Sequence, residues 1–214
     1  MKTILITACL VFLVSCQKES NRTNPQPVPV TDRSGTQTAP EQPKEKTDSI
    51  EAIRKEYNSL HALLEGKKLT SKSFSYNCDD EITGEVKIHS DKGEIKVIEH
   101  SYAEHDHFSA SEQYYIKDGN VFFIFRDETV WMFDGGTPEK PVTRDDVTET
   151  RIYLRNGRPI RCLEKKYVIK SDVSEKPDPS KITGKEVQCS TDDLMKTYHS
   201  IIRNKDRQGK IKCL

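Results

Sequence analysis

Two stretches of the chain repeat apolar residues at helical spacing, and the region between them repeats apolar residues at strand spacing. Ile50, Ile53, Tyr57, Leu60 and Leu64 fall on one face of a helix. Asp48 or Ser49 would cap its start, Glu51 and Glu56 suit its first turns, and Gly66 would stand just past its end as the C′ residue. Leu194, Met195, Tyr198, Ile201 and Ile202 form the second stripe, opened by Ser190 or Thr191 and closed by Arg203, Lys205 and Arg207, whose charges favour a helix C-terminus.

Between these helices, Gly-centred turns separate extended segments. Asp118-Gly119 and Asn156-Gly157 are the dipeptides of two-residue type I′ hairpins, because both central residues need positive φ. Ser90-Asp91-Lys92-Gly93 reads as a longer turn of the same kind. Val121 to Phe125 is apolar on both faces, as in a central strand covered twice. In Thr150 to Arg155, Ile152 and Leu154 point one way and Arg151 and Tyr153 the other. Residues 135–146 and 171–188, rich in Pro, Gly and charge, read as loops. The pattern predicts an α+β fold over residues 47–214: an antiparallel meander of six or seven strands, the first over 69–77, packed with an N-terminal and a C-terminal amphipathic helix.

Composition explains what precedes this domain. The hydrophobic fraction is 34% and the charged fraction 32%, a balance that implies an unfolded segment diluting a normal core. Residues 16–46 supply it. Pro25, Pro27, Pro29, Pro40 and Pro43 are five of the ten prolines, and no aromatic, Leu or Ile residue occurs between Asn21 and Lys46. Such a stretch has nothing to offset the entropy of ordering and reads as an extended tether.

The first residues answer to a different solvent. Lys2 precedes an apolar run from Thr3 to Val14 that is well short of the ~20 residues a bilayer span needs, so it reads as a secretory signal over residues 1–15. Leu13-Val14-Ser15-Cys16 resembles the lipobox of bacterial lipoproteins. That resemblance implies cleavage before Cys16 and acylation of its thiol, with each buried methylene worth ~0.8 kcal/mol of membrane binding. Gln17 follows where the family's inner-membrane retention signal has Asp, which implies lipid anchoring in the outer membrane, at its periplasmic face or at the cell surface. Gln17-Lys18-Glu19 is also similar to the Lys-plus-acidic export tag of Bacteroidota surface lipoproteins. The folded domain resembles exported lipoproteins generally, which implies no activity. Tyr115 to Gly119 and Tyr153 to Gly157 are similar to the Tyr-x-Asn/Asp-Gly hairpins of MORN-type proteins, over too few residues to carry a function.

An exported chain changes the reading of its cysteines. Cys78, Cys162, Cys189 and Cys213 remain after Cys9 and Cys16 are set aside, and an oxidising compartment favours their pairing. Three connectivities are open, and bridges through Cys189 and Cys213 would pin the last helix and the tail to the sheet.

The chemistry is sparse. Lys and Arg together number 34, as do Asp and Glu, so there is no basic surface for nucleic acid. Nucleophile-elbow, zincin and P-loop patterns are absent from the sequence, so a non-catalytic module without a cofactor is expected. Its partners would be the membrane, through lipidated Cys16, and a protein or glycan ligand met by sheet aromatics, with Trp131, Tyr115 and Tyr153 as candidates. The alternative is a metal-binding protein or metal-dependent enzyme. His105 and His107 would share one side of an extended segment and could chelate an ion.

Overall fold

The computed structural model describes residues 43–214, all within the unit Pro40–Leu214. Cys16, the signal over residues 1–15 and nearly all of the tether assigned to residues 16–46 lie outside the described residues. In chain order the elements are α1 (Pro43–Glu65), β1 (Thr70–Cys78), β2 (Ile82–Asp91), β3 (Glu94–Glu104), β4 (Phe108–Lys117), β5 (Asn120–Thr137), β6 (Lys140–Arg155), β7 (Arg158–Lys170), β8 (Lys185–Glu186), α2 (Asp192–Asn204) and β9 (Gly209–Ile211). Among the described residues no helix is long and apolar enough to cross a membrane.

The strands form one nine-stranded sheet in the order β8-β7-β6-β5-β4-β3-β2-β1-β9. The α+β class and the meander from β1 to β7 agree with the sequence pattern. Two expectations need correction: there are nine strands rather than six or seven, and the sheet is mixed. β9 runs parallel to β1, pairing Phe74 with Gly209 and Tyr76 with Ile211. Parallel pairing follows from topology, because α2 carries the chain from the β8 edge across one face to the opposite edge. The edge strands are short, β8 pairing with two residues of β7 and β9 with three residues of β1.

The meander owes its register to one repeated device. Lys92-Gly93, Asp118-Gly119 and Asn156-Gly157 all occupy two-residue turns with positive φ at both positions, so the first turn is no longer than the others. In each hairpin the third residue after the glycine (Lys96, Phe122, Ile160) has no partner and forms a bulge. A one-residue insertion flips the following side chains to the other face. Val121 therefore shares a face with Ile124, while Phe123 faces the opposite side.

Each helix covers one face. Ile50, Ile53 and Leu60 of α1 pack on Val97, Tyr115, Phe123 and Tyr153 near the turn ends of the hairpins. On the other face, Leu194, Tyr198 and Ile201 of α2 pack on Phe74, Ile98, Tyr114, Ile124 and Ile152. α1 begins at Pro43, earlier than Thr47, and its first turn has no use for the amide that proline lacks. Its end also differs from expectation. Lys67, with φ 49°, takes the left-handed C′ position expected of Gly66, and Lys68 N donates to Leu63 O at 2.9 Å.

The sequence left three pairings open, and the fold selects Cys78–Cys213 and Cys162–Cys189, with Cα separations of 4.9 and 6.2 Å. One bridge ties the tail to β1, and the other ties the approach to α2 to β7. The final helix is thus fastened on both flanks. A chain closed by two disulfides belongs to an oxidising, exported environment.

Candidate functional site

Cross-strand rows on the α1 face show where the sheet is left bare. α1 lies over the row that contains Val97, Tyr115, Phe123 and Tyr153. Two rows farther from the turns, the series Lys210, Ser75, Glu85, Ser101, Ser111 and Asp127 crosses six strands. Beside it runs Asn77, Thr83, Ala103, Ser109 and Thr129. Their short side chains leave a groove of about 720 Å³ lined by these residues. Across from Asp127 and Thr129 on β6 stand buried Glu149 and Val147, and on β7 Lys165 Nζ donates to Pro179 O at 2.6 Å.

Electrostatics within the groove are uneven. Burial, with Glu149 and Glu128 adding repulsion, raises the Asp127 carboxyl above its ordinary value. Glu149, opposite Asp127 on β6, accepts from Tyr167 OH at 3.1 Å and lies 3.5 Å from Arg151 Nη1. Burial and Glu149 together push the Tyr167 phenol up to about 12. Just beyond Thr129 on the same face stands Trp131, edge-on to Phe133 at 5.4 Å and 4.4 Å from the His107 ring. Phe133 is 65% exposed. The groove therefore offers hydroxyls and carboxylates along its floor, and Trp131 and Phe133 stand beyond its Thr129 end on the same strand.

The α2 face holds a buried polar chain. Tyr76 OH lies 2.8 Å from His100 Nε2, and His100 Nδ1 lies 3.1 Å from Glu112 Oε2. Glu112 also accepts from Tyr114 OH at 2.6 Å and lies 3.5 Å from Arg126 Nε, close enough for charge pairing though not a hydrogen bond. Arg126 donates instead to Tyr102 OH at 3.1 Å, and Tyr102 stacks on His100 at 4.9 Å. A His100 ring that donates from Nδ1 to Glu112 leaves Nε2 to accept a hydrogen bond from Tyr76 OH. Room for Tyr76 depends on Gly84, whose hypothetical Cβ would approach the ring to 2.4 Å.

Desolvation dominates the titration of this chain. Burial first, then neighbouring Tyr102 and Glu112, raises the Tyr76 phenol well above its usual range, and burial and Glu112 do the same to Tyr114. Tyr115 is raised by burial and by Tyr57. Stability from phenols whose folded pKa exceeds the unfolded value of about 10 is complete below that pH and is lost as pH rises beyond it, because the unfolded chain ionises first. The urea midpoint should stay level from about pH 7 to 9 and fall above about pH 10, and Tyr114→Phe should flatten that fall. A midpoint indifferent to alkali would contradict it.

Several candidates read from the sequence change meaning here. Tyr115 and Tyr153 are buried beneath α1, so they hold that helix rather than meet a ligand. Residues 105–107 form the β3–β4 turn, with His105 at φ 50°, so the extended geometry needed for His105 and His107 to share a side is absent. His107 Nδ1 lies 3.2 Å from Trp131 O. Among the described residues no group of three or more His, Cys, Asp or Glu side chains is placed to hold a metal ion. Trp131 lies on β5, two residues beyond the groove residue Thr129. Sequence reasoning missed the partnership of Tyr76, His100, Glu112 and Arg126. Counting outward equally from Asp106 would have paired His100 with Glu112.

No protein-family model, curated protein or solved structure matches the chain. The functional reading rests on the geometry of the domain and on the residues of the chain.

Proposed function

We propose that the protein is a non-catalytic glycan-binding module of the bacterial envelope, held on the outer membrane through lipidated Cys16. The observation that carries this reading is the groove of about 720 Å³ left uncovered on the α1 face. Ser75, Ser101, Ser109, Ser111 and Thr129 can each donate and accept, matching the hydroxyls of a sugar chain, while Glu85 and Asp127 supply strong acceptors. Trp131 and Phe133 beyond the Thr129 end offer the apolar surface on which sugar rings stack. Leu13-Val14-Ser15-Cys16 supports the anchor, and the two disulfides suit an exported chain.

The test is an oligosaccharide array probed with the full chain carrying Cys16→Ala, which removes the need for detergent. Ser111→Trp fills the groove at an exposed strand position without disturbing the core. Captured glycans should be lost with Ser111→Trp and weakened by Trp131→Ala. An array that captures nothing, or capture that Ser111→Trp leaves intact, removes the groove from consideration. Membrane partitioning of the Cys16→Ala chain tests the anchor separately: if it still sediments with membranes, the anchor reading fails.

A further inference from the structure

A second cavity, on the opposite face and independent of the groove, lies between the flank of α2 and the ends of β1 to β3. It measures about 440 Å³, within the range of small-molecule sites. Its two walls differ in chemistry. One is apolar and aromatic, built from Ile82, Tyr102, Leu214 and the Cys78 end of the Cys78–Cys213 bridge. The other is the side of α2, where Thr197 and Ser200 face the sheet and Lys196 and Arg203 stand at the rim. Tyr76 and His100 form the floor.

The charges in this cavity are unequally occupied. Lys196 is paired with Asp193 at 2.8 Å. The buried carboxylate of Glu112 does not line the cavity and is engaged by His100 and Tyr114, with Arg126 Nε 3.5 Å away. Arg203, the other cation lining the cavity, makes no ion pair among the described residues. A guanidinium offers a planar fork of donors suited to carboxylate or phosphate oxygens. The serine and threonine hydroxyls beside it complete a donor set, and the facing wall accepts an apolar body.

We propose that this cavity binds a small organic oxyanion, its head on Arg203 with Ser200 and Thr197, and its apolar body against Tyr102, Ile82 and Leu214. Carboxylate and phosphate heads share the required chemistry, and paired probes separate them. The full chain carrying Cys16→Ala is titrated calorimetrically with hexanoate and with hexyl phosphate, and hexylamine serves as the charge-reversed control. At least one of the anions should bind, hexylamine should not, and the tighter anion identifies the head group. Arg203→Gln, an exposed substitution that leaves the core untouched, should weaken that anion about tenfold. Ser200→Trp, which fills the cavity, should abolish binding. Failure of both anions to bind below about 10 mM, equal binding of hexylamine, or an affinity unmoved by Arg203→Gln would each overturn the assignment. Because the glycan reading concerns the other face, Ser111→Trp should leave anion binding unchanged.

Discussion

Glu112→Ala should destabilise the folded protein by about 3–5 kcal/mol, the typical loss when one partner is taken from a buried charge pair. Glu112 is 3% exposed, and three groups converge on it: His100, Tyr114 and Arg126. Removal leaves the Tyr114 hydroxyl with Leu194 O at 3.1 Å as its remaining acceptor, and it leaves His100 Nδ1 without one. Arg126 retains Tyr102 and Glu128, the latter at 3.1 Å, so part of its charge stays compensated. Burial alone would lower the Arg126 guanidinium, but Tyr102 and the two glutamates outweigh it and hold it raised. Glu112→Gln keeps the volume and one acceptor, so it should cost less, about 2 kcal/mol. Urea unfolding of both variants gives the comparison. If both variants match the parent, the buried carboxylate contributes nothing to stability. Combining Glu112→Gln with Arg126→Met should cost less than the sum of the two changes, because the residues share one interaction.

Removing the Cys78–Cys213 bridge by paired serine substitution should cost more than removing Cys162–Cys189. The bridges close loops of 135 and 27 residues. The chain-entropy relation gives about 5 and about 3.5 kcal/mol at room temperature. Measured losses often fall below these values when the unfolded chain keeps structure, so the ranking is the stronger expectation. The effects should also differ in place. Without Cys78–Cys213, β9 should exchange its amides first, because it holds to the sheet through only three register pairs with β1. Without Cys162–Cys189, exchange should accelerate at β8 and at the start of α2. Hydrogen exchange on the two variants separates these outcomes. Loss of β9 protection in the wrong variant would show that the bridges do not act locally.

Local chemistry made much of the fold legible. Asp118-Gly119 and Asn156-Gly157 marked their hairpins because few residues other than Asn, Asp and Gly tolerate two successive positive φ values. The stripes of Ile50 to Leu64 and Leu194 to Ile202 marked helices because apolar residues at that spacing gather on one face only when the chain turns every 3.6 residues. Residues 135–146, read as a loop, instead form the ends of β5 and β6. Gly135 and Gly136 resembled punctuation, yet both lie at a bulge with positive φ, and a Cβ on Gly136 would approach Lys140 O to 2.3 Å. β8 and β9 were missed because two or three residues carry no periodicity.

The candidate sites were less legible than the elements. Glu112, Asp127 and Glu149 could be recognised as carboxylates on strands, but their neighbours depend on register. Single-residue bulges at Phe122 and Ile160 move register by one, and one residue decides the face. A bare region is harder still to anticipate. That Ser101 and Ser111 line a groove follows from where α1 stops, and no property of either serine records it.

The Cys78–Cys213 bridge also determines how the domain answers to force. Everything from β2 to the tail lies inside one covalent ring, whereas α1 and most of β1 lie outside it. Tension applied from the N-terminal side can strip away α1 and β1, but it then meets a closed loop. The 135 residues within that loop would otherwise lengthen the chain by roughly 450 Å when drawn out. Oxidised, the domain can lengthen only by α1 and β1. Reduced, it becomes a long, compliant string.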